Sequence, residues 1–171
     1  MTYITHEIAG LTLGLGYMLY TKNIDYIPLT ILIVSSLLPD LDEPNSKSGR
    51  KVSNISYLIK KIFGHRGITH SLVFILVLAG FIYGIILYYS LPFNYLIYFI
   101  LGYISHIFSD LLTKSGVPLF YPYKKNISVP IITTNNFSEK IFRSLISLVF
   151  VYQTYLLFLY QIELLDSIIR R

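Results

Sequence analysis

Five apolar segments alternate with polar stretches along the chain, and this pattern predicts an all-α bundle of helices in a membrane. The first two segments are short, because about 13 residues of helix rise only about 20 Å, whereas the hydrocarbon core of a bilayer is about 30 Å thick. They are predicted either to span a thinned bilayer or to form a re-entrant hairpin, which gives four to five helices. The segments cover residues 8–20, 26–38, 69–90, 95–112 and 142–165.

Two polar stretches between the segments, residues 39–69 and 113–140, carry six and four basic residues. The turn at 91–94 carries none. Because basic loops stay on the cytoplasmic side of a membrane, both stretches and the N-terminus are predicted to be cytoplasmic. Arg170 and Arg171 would then lie outside if the fifth segment spans, which is contrary to the same rule.

Composition supports a membrane protein of one domain, residues 1–171. Hydrophobic residues make up 54% of the chain, charged residues 13%, and the mean hydropathy is +0.60. A soluble domain usually carries about a quarter charged residues, so a bilayer is the expected solvent and partner, and no nucleic-acid partner is expected. The chain has no cysteine, which excludes disulfides, cysteine-type zinc sites and thiol catalysis. Any metal must therefore be held by His, Asp or Glu.

Candidate chemistry begins with the histidines, since all four lie at edges of apolar segments. His106 and Asp110 are four residues apart on one predicted helix, so their side chains point the same way. An imidazole and a carboxylate one turn apart can grip one divalent ion or bridge two. The alternative is a hydrogen bond that only ties down the helix end.

Two carboxylates, Asp40 and Asp42, follow Pro39 at the end of the second segment. In an extended turn they would converge with a third ligand, whereas in a helix they would diverge. The alternative is a solvated polar stop after an apolar helix.

The stretch from His65 to His70 combines two imidazoles with a cation, Arg66. Gly67 permits a tight turn, and Thr69 is predicted to cap the helix that follows. A helix N-terminus beside an arginine favours an anion, so a phosphate beside a metal fits this stretch. The alternative is an interface loop whose arginine meets lipid phosphates.

The alternation of the segments brings all of these residues, with His6, to one side of the membrane. Ionisable groups at membrane depth are costly and mark function by default. The pattern therefore predicts one shared metal site, with zinc as the expected metal and manganese or magnesium as the oxygen-ligand alternatives. Its ligands are drawn from His6, Asp40, Asp42, His65, His70, His106 and Asp110.

Several motifs in this order resemble those of the YdjM-type family of bacterial and archaeal inner-membrane proteins, described as membrane-bound metal-dependent hydrolases. The resemblance covers residues 1–125, the motif-bearing core, and implies a metal-dependent hydrolase. The motifs are His6-x-x-x-Gly10, residues 38–42 (Leu-Pro-Asp-Leu-Asp), residues 64–71 (Gly-His-Arg-Gly-Ile-Thr-His-Ser), and residues 102–110, which end in His106-x-x-x-Asp110.

The ligand order also has a fainter similarity to the first part of the pattern of zinc-dependent phospholipase C and P1 nuclease, helical enzymes that cleave phosphoesters at a zinc cluster. This chain lacks the later histidine and His-x-x-x-Glu ligands of that pattern. One or two ions are therefore expected rather than three.

The expected function is hydrolysis of an ester or phosphoester, with a phospholipid as one candidate, at the cytoplasmic interface of the inner membrane. In this hypothesis the metal activates water, Asp40 or Asp42 acts as general base if not ligated, and Arg66 neutralises charge on a phosphoryl oxygen. The alternatives are a metal-ion or proton-coupled transporter, which predicts ionisable groups near the bilayer midplane, and a non-catalytic membrane scaffold. The oligomeric state stays open.

Overall fold

The computed structural model describes residues 1–64 and 66–170, and within them all regular secondary structure is helical apart from two isolated β-bridges. Three short 3₁₀ turns, Pro39–Asp42, Gly49–Val52 and Ile68–His70, lie between helices. The all-α prediction is therefore confirmed. The described residues form six α-helices: α1 (Tyr3–Thr21), α2 (Ile27–Leu37), α3 (Ser53–Phe63), α4 (Leu72–Tyr89), α5 (Asn94–Leu111) and α6 (Phe137–Ile169).

Helix α1 is longer than the pattern indicated. It has 19 residues, which rise about 28 Å, so the prediction of two short segments is wrong for α1 and holds for α2, with 11 residues. Thr5 and His6 are polar residues in the first turn of α1, and both are buried against other parts of the chain. These two polar residues therefore mark a site inside the protein, and the helix continues through them.

The stretch 39–69, predicted as a polar loop, contains the helix α3. That prediction is wrong for residues 53–63, where basic and apolar residues alternate with a helical period. At the other end of the chain, α6 has 33 residues and begins at Phe137, five residues before the predicted start.

Helices α2 and α5 pack closely because a glycine lies between them. A Cβ atom added to Gly102 would collide with the Ser35 hydroxyl and the Leu32 carbonyl. On α1, a Cβ added to Gly14 would lie 2.6 Å from a methyl group of Leu32. The backbones of α1, α2 and α5 therefore approach one another through small residues, as helices do in membranes.

Two helices, α4 and α6, are long and apolar enough to cross a membrane. Only 11% of the most apolar window of α4 and 6% of that of α6 are buried inside the protein. Apolar surface of this extent needs a non-aqueous surrounding. The chain is thus a helical protein with the surface of a membrane protein.

The helices run so that one end of the bundle collects the polar residues. Thr5 at the start of α1 hydrogen-bonds Glu139 at the start of α6. His106 near the end of α5 hydrogen-bonds Ser36 near the end of α2. The N-terminal ends of α1 and α6 therefore lie with the C-terminal ends of α2 and α5, and the predicted ligands meet there.

Candidate metal centre

The centre is built on α5, where His106 and Asp110 share one face at four-residue spacing. Both are buried, with 0% and 1% of their surface exposed. His6 from α1 stacks on the His106 ring, with centroids 3.7 Å apart and planes 11° from parallel. His70, from the turn before α4, meets the same ring edge-on at 5.3 Å. Three imidazoles from three different elements therefore surround one carboxylate.

The donor atoms of this cluster lie 3.5–3.8 Å apart. Asp110 is 3.5 Å from His6 Nε2 through Oδ1, and 3.7 Å from His70 Nε2 and 3.8 Å from His106 Nε2 through Oδ2. Asp40 Oδ1 is 3.7 Å from His106 Nε2. These distances are too long for good hydrogen bonds. They are close to the separation of about 3.3 Å between two ligands bound tetrahedrally at about 2.0 Å to one ion.

Two of the imidazoles are oriented by hydrogen bonds to their other nitrogen. His106 Nδ1 lies 2.7 Å from the carbonyl oxygen of Ser36, which can only accept, so Nδ1 carries the hydrogen and Nε2 keeps a lone pair. His70 Nδ1 is in a 3.1 Å hydrogen bond with the Thr69 hydroxyl oxygen and lies 3.3 Å from Asp42 Oδ2. Outer partners of this kind fix the tautomer of metal-binding histidines.

The donor set fits a divalent metal. Both ring nitrogens of His6 and Nε2 of His106 are buried and have no hydrogen-bond partner within residues 1–64 and 66–170. Buried polar atoms in that condition are costly unless something binds them. Two groups of donor atoms, each lying within 4.8 Å of one another, share His106; they are His6, His106 and Asp110, and Asp40, His70 and His106.

Arg66 and Asp42 hold the loop that carries His70. Asp42 Oδ2 accepts hydrogen bonds from the Arg66 backbone N–H at 2.8 Å and from the Thr69 hydroxyl at 2.6 Å. Arg66 has a φ of 55°, which is unfavourable for a residue with a side chain. In this conformation Arg66 Nη2 lies 2.8 Å from Asp110 Oδ2.

A cavity of about 600 Å³ adjoins the cluster, and both Asp40 and Arg66 line it. Its other charged lining groups are Glu43, Lys47, Arg50 and the amino group of Met1, which pairs with Asp110, so cations outnumber anions. Lys47 Nζ donates a 2.8 Å hydrogen bond to Glu7, and this contact raises the pKa of Lys47. A molecule bound in the cavity would contact Asp40 of the His/Asp cluster and the basic residues Lys47, Arg50 and Arg66.

The predicted site residues have different outcomes. The structure brings together His6, Asp40, His70, His106 and Asp110. Asp42 contacts the Nδ1 side of His70 and belongs to neither donor group. Asp40 and Asp42 lie in the same 3₁₀ turn, but their carboxylates contact different histidines. His65 lies outside the described residues, and its role as a ligand stays a prediction.

Thr69 does not cap α4, so that prediction is wrong. Ser71 caps the helix, and its side chain accepts the Phe74 N–H at 3.3 Å. The Thr69 hydroxyl is used by Asp42, and its carbonyl accepts a 2.5 Å hydrogen bond from the buried Tyr103. Tyr103 thus connects the loop that carries His70 to α5. The position of Tyr103 in an apolar segment of the sequence did not indicate this contact.

Glu139 is a buried carboxylate outside the His/Asp cluster, and the sequence reasoning missed it. Its Oε1 accepts hydrogen bonds from the Thr2 N–H, the Thr2 hydroxyl and the Thr5 hydroxyl, and its Oε2 accepts from the Asn135 N–H. Asn136 caps α6, three residues before Glu139. This spacing resembles a capping box, the signal that would have found it.

The comparisons with known proteins agree with the motifs. A sequence model of the family described as YdjM inner membrane protein matches residues 1–164. Inner membrane protein YdjM of Escherichia coli K12 is 42% identical over 101 residues, which cover 58% of this chain and 52% of the relative, so the match spans about half of its length. "Uncharacterized protein YvsG" of Bacillus subtilis is 32% identical over 159 residues, 92% of this chain and 97% of that protein. No solved structure matches.

Proposed function

The chain belongs to the YdjM inner membrane protein family, and from this premise we propose that it is a membrane-bound, metal-dependent hydrolase. Its reaction is the cleavage of an ester or phosphoester that reaches the protein from the membrane interface. A phosphate-bearing lipid fits the site best, because the adjoining cavity holds more cations than anions. The basic stretches and the metal centre lie on the cytoplasmic side, following the distribution of Lys and Arg.

One observation carries the proposal: imidazole and carboxylate donors converge without hydrogen-bonding one another, beside an open cavity. His6, His70, His106 and Asp110 would hold the ion, and Asp40 borders it. When bound, a divalent ion supplies Lewis acidity, which lowers the pKa of water and makes it a nucleophile near neutral pH. Three imidazoles with carboxylates favour zinc, and the oxygen donors also suit manganese or magnesium.

The count of ions is one or two. The two donor groups share His106, whose Nε2 lies 3.7 Å from Asp40 and 3.8 Å from Asp110. Asp110 approaches His6 through one oxygen and His70 through the other. A carboxylate that presents different oxygens to different partners can serve one ion or bridge two.

Asp40 is the candidate general base. Its side chain is 19% exposed, it lines the cavity, and its Oδ1 lies 3.7 Å from His106 Nε2. A carboxylate in this position can take a proton from a water molecule on the cavity side. Asp42 is occupied with Arg66 and Thr69, so its role is to position His70 rather than to transfer protons.

Arg66 is the candidate electrostatic group. Its guanidinium contacts Asp110 and at the same time lines the cavity, and Nη1 donates to the Gly116 carbonyl at 3.1 Å. A cation fixed at that place stabilises negative charge that develops on a phosphoryl oxygen.

A transporter is the weaker reading of the same residues. A transport site lies near the bilayer midplane and is reached from both sides. The His/Asp cluster of this chain instead lies at helix ends, at the start of α1 and α4 and the end of α5. This placement favours a reaction at the interface.

The test is hydrolysis by purified protein in detergent, loaded with zinc, against chromogenic phosphodiester, phosphomonoester and carboxylic ester substrates. Asp40→Asn is expected to keep the metal and to lose most of the activity, since it removes the base. The matched control, Asp166→Asn, lies near the far end of α6 and should match the wild type. A protein that binds metal and hydrolyses none of the substrates would overturn the proposal and point to a scaffold.

A further inference from the structure

Helix α3 has an apolar face that the rest of the chain leaves uncovered. Ile55, Leu58 and Ile62 follow one another at spacings of three and four residues, which places them on one side of the helix. They are 58%, 55% and 60% exposed. A helix of 11 residues would not be stable in water with such a face uncovered, so something apolar covers it.

The protein holds α3 by a different side. Ser56 is wholly buried, and a Cβ added to Gly49 would lie 2.8 Å from its hydroxyl oxygen. Lys60 Nζ lies 2.6 Å from Glu43 Oε2. The helix is therefore anchored to the 3₁₀ turns before it by close packing at Ser56 and by the Lys60–Glu43 ion pair, and its apolar face is turned away from them.

The third side of α3 is polar and basic. Asn54, Tyr57 and Lys61 are exposed there, and Lys51 is exposed just before the helix. Helix α3 therefore has protein on one side, an apolar face on the second, and Lys61, with Lys51 nearby, on the third. Helices that lie in a membrane interface have this arrangement. The lysines give it complementarity to anionic lipid rather than to neutral lipid.

The depth of α3 follows from the helix after it. Helix α4 has 18 residues, which rise about 27 Å, slightly less than the thickness of the hydrocarbon core. It can therefore cross the core only if Leu72 lies at the boundary between the core and the headgroups. Phe63, the last residue of α3, is separated from Leu72 by eight residues, which include the 3₁₀ turn Ile68–His70. An apolar cavity of about 240 Å³ also joins the end of α2, at Leu37, to Val52. With Leu72 at that boundary, these connections would place α3 at the level of the headgroups.

We propose that α3 lies in the plane of the membrane, with Ile55, Leu58 and Ile62 among the lipid chains and Lys51 and Lys61 on anionic phospholipid headgroups. This contact fixes the metal-centre end of the bundle at the level of the headgroups. It does not depend on whether the centre is catalytic.

The chain has no cysteine, so single cysteines can be introduced for labelling. Leu58→Cys and its matched control Tyr57→Cys, in the full-length protein, are labelled with an environment-sensitive fluorophore. Both are reconstituted in vesicles of phosphatidylcholine with or without phosphatidylglycerol. The label at 58 is expected to be quenched several-fold more by bromine on lipid chains than by iodide in water, and the label at 57 to show the reverse.

Charge is tested in the same assay. Lys61→Glu in the Leu58→Cys background should weaken the quenching by brominated lipid in vesicles with phosphatidylglycerol, whereas Lys22→Glu, at the far end of α1, should not. Equal access of iodide to labels 57 and 58 would overturn the proposal. A label at 58 shielded from both quenchers would also overturn it, because a protein surface would then cover α3. Quenching that is unchanged by phosphatidylglycerol would overturn the anionic-lipid contact.

Discussion

His106 donates its Nδ1 hydrogen across 2.7 Å to the main-chain carbonyl oxygen of Ser36, and this bond joins α5 to α2. A backbone acceptor cannot be removed by a change of side chain, so it fixes the imidazole whenever the two helices keep their spacing. The opposite nitrogen, Nε2, lies 3.7 Å from Asp40 and 3.8 Å from Asp110, one carboxylate from each donor group. The packing of α2 on α5 therefore sets the geometry of the centre.

Gly102→Ala should disturb the fold and the centre together. Gly102 lies one turn before His106, and a methyl group there would strike backbone and side-chain atoms of α2. We expect a loss of about 1–3 kcal/mol of stability from overpacking, read as a lower Tm in detergent, with weaker zinc binding. The control is Gly80→Ala on α4, where a Cβ would meet nothing within 4 Å. Equal Tm values for the two variants would contradict the close packing.

Asp110→Asn should remove the metal. The carboxylate approaches all three described histidines, and an amide is a poorer ligand that carries no charge. Elemental analysis of the purified protein is expected to show the metal in the wild type and in Asp166→Asn, and its loss in Asp110→Asn. Equal metal content in all three proteins would show that the cluster is not the binding site.

Asp42→Asn should weaken the metal without abolishing it. Asp42 contacts the outer nitrogen of His70 and the loop around Arg66, and the loss of such a partner typically costs 10–100-fold in metal affinity. Zinc affinity is measured by competition with a chromophoric chelator, with Asp25→Asn at the far end of the bundle as the control. Complete loss of zinc would make Asp42 a ligand, as the sequence predicted, and unchanged affinity would remove it from the centre.

Much of the centre was predictable because chain direction alternates from one apolar segment to the next. That alternation sends His6, His70 and His106 to the same end of the bundle before any contact is known. The four-residue spacing of His106 and Asp110 then fixes a shared face. The convergence of these side chains was accessible from the sequence for these physical reasons.

Other features depend on local conformation that residue type does not fix. The separate directions of Asp40 and Asp42 come from a 3₁₀ turn, and the contact of Arg66 with Asp110 comes with a positive φ at Arg66. Helix α3 was hidden because its lysines and serines read as a loop. Its helical spacing of apolar residues was the signal that would have found it.

Glu139→Gln should loosen the N-terminal end of α1. The carboxylate accepts four hydrogen bonds, three of which join the start of α1 to the start of α6. An amide has one oxygen acceptor and would leave donors of Thr2, Thr5 or Asn135 without a partner. The cost is about 1–3 kcal/mol, read as a lower Tm. His6 follows Thr5, so zinc affinity should fall as well. Glu163→Gln, exposed on α6, should leave both unchanged. A lower Tm with unaltered zinc affinity would show that Glu139 stabilises the helices without positioning His6.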